Sequence, residues 1–344
     1  MDKVDVCLDG SMGEGGGQIL RTALALSALT GRSFRIERIR AARKKPGLQS
    51  QHLTAVLAAA QICQARVEGA SLGSQQLAFW PGPVRGGQYQ FDVGTAGSTG
   101  LVLQTLLPPL ALANEPAELL LQGGTHNPLA PPFDFLAEVF LPILRRMGLQ
   151  VDAELEAYGF YPAGGGRIRV RIHPAERLHA LELLHRGRVR DRSIYAVLSR
   201  LPRHIADREV ETARKHLGWE KKCTRILEVP SAGPGNYIAV RIQCEQVTEL
   251  FAAFGQLKVP AEKVATEAAR QADQWLRADV PVGPHLADQL LLYLALAGHG
   301  AFRTLQPTLH TQTNLQVIRL FLDRNFRIEQ QTDQQWLVAV ATER

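Results

Sequence analysis

The residues best placed to do chemistry are a histidine, a glutamate and several arginines, each beside residues that favour turns. His310 stands in Gln306-Pro307-Thr308-Leu309-His310-Thr311-Gln312-Thr313-Asn314, where an apolar strand pattern gives way to a helical one. A neutral imidazole can attack phosphorus, and a reference pKa of about 6.5 leaves it mostly unprotonated at neutral pH. Neighbouring Thr and Asn side chains can fix its tautomer and stabilise charge developing on phosphate oxygens. The same spacing also suits a helix-capping turn that carries a surface histidine.

Glu14 is surrounded by glycine in Asp9-Gly10-Ser11-Met12-Gly13-Glu14-Gly15-Gly16-Gly17-Gln18-Ile19-Leu20-Arg21, and an amphipathic run follows at once. Glycine lets backbone N–H groups approach a ligand, and a helix that starts there offers its unpaired N–H groups to an anion. Glu14 is an acid that could hold a metal near that anion. The loop lacks the Lys of the phosphate-cradling P-loop, and Gln18 stands where the dinucleotide fingerprint needs its third glycine. A tight strand-to-helix turn without a ligand remains the plainer alternative.

Other loops have a similar design. Arg40-Ala41-Ala42-Arg43-Lys44-Lys45-Pro46-Gly47-Leu48-Gln49-Ser50-Gln51-His52 offers cationic forks for phosphate at a helix start. Gly94–Gly100 precedes Gln104, Gly123–Pro132 ends in a stiff proline wall that includes Pro131, and Gly283-Pro284-His285-Leu286-Ala287-Asp288-Gln289 opens a third glycine-led helix. Taken together, three glycine-led helix starts and three strand-to-helix loops are expected to converge on one anionic ligand.

These loops need elements to hold them. Apolar helices over Leu24–Gly31, Leu106–Asn114 and Leu290–Gly298 end in Gly or Asn, which is C-cap punctuation. Each leads to a strand (Phe34–Ile39, Glu118–Leu121, Ala301–Leu305), a polar loop, a second helix (Gln51–Gln64, Pro132–Met147, Thr311–Leu322) and closing strands (Leu77–Trp80, Ile168–Ile172, Trp336–Ala341). The pattern predicts three repeated helix–strand units. The second and third lie about one hundred residues further apart than the first and second, enough for a small domain. The inserted stretch has its own helices (Arg203–Leu217, Ala261–Leu276) and strands (Thr224–Val229, Tyr237–Gln243). We therefore expect an α/β (α+β) fold: a large catalytic domain of residues 1–183 and 281–344, with a smaller α/β domain inserted at 184–280.

Composition narrows the class. At 344 residues, 45% hydrophobic and 21% charged, the chain is an ordinary globular protein with enough length for a large core. The net charge of +6 is a mild bias toward polyanions. Its sharpest concentration is Arg32, Arg35, Arg38, Arg40, Arg43, Lys44 and Lys45, which would otherwise be a solvated face. The four cysteines are widely spaced, which argues against a zinc site or a disulfide framework. No signal peptide or membrane-spanning run is visible, and a reducing cytoplasm is the expected location.

Five separated segments resemble the RNA 3′-terminal phosphate cyclases. They are the Asp9–Arg21 loop, Lys45-Pro46-Gly47-Leu48 with Gln51-His52-Leu53-Thr54-Ala55, Gly123-Gly124-Thr125 with Asn127-Pro128, Ala130-Pro131-Pro132 and Asp134-Phe135, Gly159–Gly166, and His310-Thr311-Gln312-Thr313-Asn314. The resemblance runs through essentially the whole chain in family order. It implies three units of two helices and a four-stranded sheet, plus a smaller inserted α/β domain. It also implies ATP and a divalent metal (Mg2+ or Mn2+) as cofactors, and an RNA 3′-phosphate end, or a DNA 3′-phosphate end, as partner. By that resemblance His310 becomes adenylylated, the AMP passes to the RNA 3′-phosphate, and the neighbouring 2′-hydroxyl displaces it to give a 2′,3′-cyclic phosphate.

Carried over residue by residue, the resemblance makes His310 the nucleophile and Glu14 the metal ligand. Gln18, Arg21, Arg40, Arg43, Gln51 and His52 would bind ATP or RNA phosphates. Gln104, Pro131, His285, Leu286, Ala287, Asp288 and Gln289 would frame the nucleotide. His285 departs from the family pattern, which has a tyrosine against the adenine; imidazole can stack, with less area. Non-catalytic ribosome-assembly relatives lack the histidine, so His310 argues against an RNA-binding protein without chemistry. An enolpyruvyl-transferase-like enzyme shares the theme of repeated α/β units but has no evident use for the histidine loop.

Overall fold

The computed structural model describes residues 3–341; positions 1–2 and 342–344 of the expected large domain lie outside the described residues. The chain begins with β1 (Val6–Asp9), α1 (Gly17–Thr30), β2 (Phe34–Glu37), α2 (Ser50–Cys63), β3 (Arg66–Glu68) and β4 (Leu77–Trp80). These strands form a sheet in the order β1-β2-β4-β3, with β1 and β2 parallel and the rest antiparallel. Next come β5 (Gly87–Asp92), α3 (Thr99–Ala111), β6 (Ala117–Gly123), a helical stretch made of α4 (Phe133–Phe135), a π-helical turn (Leu136–Phe140) and α5 (Leu141–Arg146), then β7 (Gln150–Ala157) and β8 (Gly166–His173). Their sheet has the order β5-β6-β8-β7.

After the short β9 (Leu181–Leu183) the chain builds a separate sheet from β10 (Val189–Ser199), β11 (Thr224–Glu228), β12 (Gly235–Cys244) and β13 (Thr248–Phe254), accompanied by α6 (Arg203–Leu217) and α7 (Ala261–Ala278). Its order is β11-β10-β12-β13. The chain then continues through α8 (Pro284–Ala297), β14 (Gly300–Thr304), α9 (Leu309–Phe321), β15 (Phe326–Gln330) and β16 (Trp336–Val340). Here β9 pairs in parallel with β14, giving a sheet of order β15-β16-β14-β9. Mixed α/β architecture is thus as expected, but a strand leads each set of elements (β1, β5, β9) where the sequence pattern opened on a helix.

Local patterning explains the elements. In β6 burial alternates residue by residue, so one face meets the core and the other does not. In α1 nearly every side chain from Ile19 to Ala28 is buried, so the helix needs apolar partners on several sides. It finds them in α2, α3 and α9. Gly31 ends it at φ 71°, the left-handed conformation that glycine adopts without strain. In α7, Val264, Ala265, Ala268, Ala272 and Trp275 form a stripe packed on β12 and β13. Helix-on-helix packing around α1 brings the starts of α1, α2, α8 and α9 to one side of the molecule, and a cleft opens there.

Candidate active site

The cleft has a volume of about 540 Å³, within the range of small-molecule sites. Its polar lining includes Glu14, Gly16, Gly17, Gln18, Arg21, Arg40, Arg43, Gln51, His52, His285, Asp288, His310 and Asn314. Its apolar lining includes Leu101, Phe135, Phe140, Leu250, Ala252, Phe254 and Leu292, with Gln104, Gln289 and Tyr293 as further polar groups.

His310 is the second residue of α9. Thr308 caps that helix by accepting from the Thr311 N–H at 3.1 Å, while the Thr308 N–H donates to Thr311 Oγ1 at 3.2 Å. The His310 side chain is 49% exposed, which leaves it accessible from the cleft. Its Nδ1 faces two acceptors, Gln18 Oε1 at 2.8 Å and Glu14 Oε2 at 3.7 Å. Two acceptors place the ring hydrogen on Nδ1, so Nε2 is the nitrogen with the available lone pair.

Glu14 is held by its own backbone, whose N–H donates to Thr313 Oγ1 at 3.1 Å, and its carboxylate pairs with Arg43. Gly15, at φ 61°, makes the turn behind it. A Cβ on Gly17 would lie 2.3 Å from His52 Nε2 and 2.7 Å from an Arg21 nitrogen, so glycine there lets both side chains reach the cleft floor. Gly16 begins α1 with no side-chain cap, which leaves the helix start open to an anion.

Charge is tuned along this floor. Burial pushes Arg21 down to about 10, still charged at neutral pH. Burial, then the neighbouring Arg21 and Arg40, push His52 down to about 3, so it is neutral at physiological pH. Its Nδ1 accepts the Gln49 N–H at 3.2 Å and so helps cap α2. Arg40 donates to the carbonyls of Lys45 and Gly47 at 2.6 and 2.9 Å, which folds the basic loop on itself. On the opposite wall burial raises Asp288 to about 6, although Thr311, His310 and Thr308 favour its charged form. Asp288 accepts the Thr311 hydroxyl and the Thr308 hydroxyl, the latter at 3.2 Å. The His285 ring, in the cleft wall, is pushed below the usual histidine range by desolvation and then by the neighbouring His310.

Most of the expected site residues line this one cleft. Leu286 and Ala287 do not; they are 0% and 1% exposed and pack into the core under α8. Gln51 reaches the cleft but also accepts the Ser98 N–H at 3.0 Å, so it ties α2 to the start of α3. Residues from the first turns of α1, α3 and α8 all line the cleft, but the N–H groups of these helix starts are used differently. The α3 start is satisfied by Ser98, which accepts from the Leu101 N–H at 3.3 Å, and the Gly283 N–H before α8 donates to Glu249. The α1 start has no side-chain cap. The strand-to-helix loops also converge, through Arg40 and Arg43, Leu129–Pro132, and His310 with Asn314.

Sequence reading missed the back wall, where Leu250, Ala252 and Phe254 come from β13. It also missed a buried cluster behind the proline loop. There His126 Nε2 lies 2.7 Å from Asp134 Oδ2, which also accepts the Tyr237 hydroxyl of β12 at 2.7 Å. No local pattern signals the Tyr237 contact, which lies 103 positions from Asp134 in the chain. Among the described residues no group of three or more His, Cys, Asp or Glu side chains clusters as a metal site, and no helix is long and apolar enough to cross a membrane.

An α/β scaffold that gathers an uncapped helix start, several cations and an accessible imidazole around one cleft has the chemistry to hold an anion. The family model described as RNA 3'-terminal phosphate cyclase matches residues 12–328. The RNA 3'-terminal phosphate cyclase of Koribacter versatilis (strain Ellin345) is 55% identical over 95% of this chain and 92% of its own length. Those of Ectopseudomonas mendocina (strain ymp) and Salmonella agona (strain SL483) are 50% and 49% identical, each over 94% of both chains. The chain belongs to the RNA 3'-terminal phosphate cyclase family. The solved EPSP synthase of Acinetobacter baumannii is 11% identical at a TM-score of 0.32, covering 94% of this chain and 61% of that one; at that score the likeness bears on neither fold nor activity.

Proposed function

We propose that this protein is an ATP-dependent RNA 3′-terminal-phosphate cyclase that works through a covalent His310–AMP intermediate. One observation carries the reading: His310 Nδ1 faces Gln18 Oε1 and Glu14, an arrangement that suits a hydrogen on Nδ1 and leaves Nε2 for attack beside the cations and the α1 start. Nε2 attacks the α-phosphorus of ATP; the N–P bond forms, the bond to the β-phosphate oxygen breaks, and pyrophosphate leaves. An oxygen of the RNA 3′-phosphate then attacks the same phosphorus and frees the imidazole. The 2′-hydroxyl closes on the 3′-phosphorus, AMP leaves, and the hydroxyl proton passes to water.

The remaining assignments belong to the same proposal. Gln18, Arg21, Arg40 and Arg43 meet phosphates, with Gln51 and His52 shaping the floor beneath them. Gln104, Pro131, His285, Asp288 and Gln289 frame the base, and Leu286 and Ala287 support α8 from the core. Glu14 suits a divalent cation of the Mg2+ type: one carboxylate is enough when substrate phosphates and water complete the shell, and Arg43 must first release it. An ion held there would supply positive charge to offset that of the phosphates. We further propose that residues 184–280 form the inserted domain and 1–183 with 281–344 the catalytic one. Four free thiols suit a reducing cytoplasm.

The test is incubation with ATP labelled at the α-phosphate. An acid-labile protein adduct should form, and His310→Ala should lose it together with cyclisation of a 3′-phosphorylated RNA. Undiminished labelling of that variant would sink the nucleophile assignment.

A further inference from the structure

We propose that Glu249, a residue of β13 that never touches the cleft, positions the helix that frames it. Glu249 is 1% exposed, and its Oε1 accepts the Gly283 N–H at 2.5 Å. Gly283 is the residue at which α8 starts, and it has no side-chain cap of its own. Its φ of −76° and ψ of 167° are open to any residue, so the backbone does not demand glycine. A side chain there would instead displace the carboxyl: a Cβ at 283 would lie 2.9 Å from Glu249 Oε1 and 3.1 Å from its Cδ. The glutamate therefore satisfies from another sheet the N-cap N–H, the donor that the N3 side chain of a capping box takes.

The consequence travels along α8. Two residues past Gly283 comes His285, and one turn later Asp288 and Gln289, all three in the cleft wall. Asp288 accepts the Thr308 and Thr311 hydroxyls at the start of α9, and the Asn314 amide donates to its carbonyl at 2.9 Å. Side chains alternate along a strand, so Glu249 projects from the face of β13 opposite Leu250, whose side chain lines the cleft. The same strand thus supplies the back wall with one face and fixes the start of α8 with the other. Burial raises the Glu249 carboxyl to about 8, and a neutral carboxyl keeps the carbonyl oxygen that this contact uses.

The inference concerns ATP framing and in that respect rests on the reading above, so its test has an arm that needs no ATP. Glu249→Gln keeps the acceptor, and Glu249→Ala removes it. In the alanine variant, hydrogen exchange of the Gly283 amide and of the amides at 285–288 should speed up at least tenfold, with the glutamine variant at the wild-type rate. KM for ATP should rise about tenfold in the alanine variant, the size of one buried hydrogen bond. The kcat should change less than about threefold, because His310 keeps its bond to Gln18 on α1. Gly283→Ala, which displaces the carboxyl without altering β13, should reproduce both effects if the alanine variant at 249 fails to fold. Wild-type exchange in both alanine variants, or equal damage from Glu249→Gln, overturns the proposal. Absence of an adduct in the wild-type protein would overturn the His310 reading and leave the exchange result to decide this one.

Discussion

His52 should make the protein lose stability in mild acid, and His52→Gln should remove most of that loss. The imidazole is 4% exposed and sits against Arg21 and Arg40, so its pKa falls from 6.5 to about 3 in the folded state. Between these values the unfolded chain binds the proton and the folded chain does not. The contribution of this group is then fully present above pH 6.5 and is lost as pH falls toward 3. At 1.36 kcal/mol per pKa unit the whole window amounts to about 5 kcal/mol, and about 2 kcal/mol is gone by pH 5. Glutamine suits the exchange because its carbonyl oxygen can take over the bond from the Gln49 N–H, which keeps the cap of α2 while removing the titration. Urea unfolding of both proteins across pH 4–8 measures the difference. Relative to its value at pH 8, the glutamine variant should gain about 2 kcal/mol on the wild type at pH 5. Parallel curves would refute the argument, because they would mean that His52 takes up a proton in the folded protein as readily as in the unfolded one.

Asp288 titrates in the opposite sense. Burial raises it from 3.8 to about 6, so its contribution is full below pH 3.8 and is lost as pH rises through 6. Compared with Asp288→Asn, the wild type should lose about 2 kcal/mol between pH 4 and 6 once partial exposure is allowed for; the same unfolding series checks this. Arg43→Ala should change stability by less than about 1 kcal/mol, since its pair with Glu14 is half exposed, yet weaken pyrophosphate binding about tenfold or more, as read by titration calorimetry. Equal affinity in the variant would remove Arg43 from the phosphate site.

Elements with strong local signals are legible in the amino-acid pattern alone. Arg203–Leu217 and Leu77–Trp80 have the bounds that the apolar spacing and flanking Pro202 and Gly218 suggest. Other strands are not. In β5 nearly every side chain is exposed or half-buried, and β9 is three residues long, so neither carries a periodic pattern; both exist because β6 and β14 offer them a parallel edge. In β10 four exposed residues precede a run buried on both faces, a pattern with no single period.

The same division holds in the cleft. Chain order and residue type make the histidine loop, the glycine loop around Glu14 and the basic loop recognisable, because turn-forming and ligand-binding groups lie within a few residues of one another. The imidazole's tautomer is different: it depends on Gln18, 292 positions from His310 in the chain. The neutrality of His52, the back wall from β13 and the cap that Glu249 provides to α8 depend on distant partners in the same way. Short-range spacing encodes which groups are present and how the backbone turns beneath them. Desolvation and contacts across the core set their charge, tautomer and orientation, and these arise only when distant segments pack together.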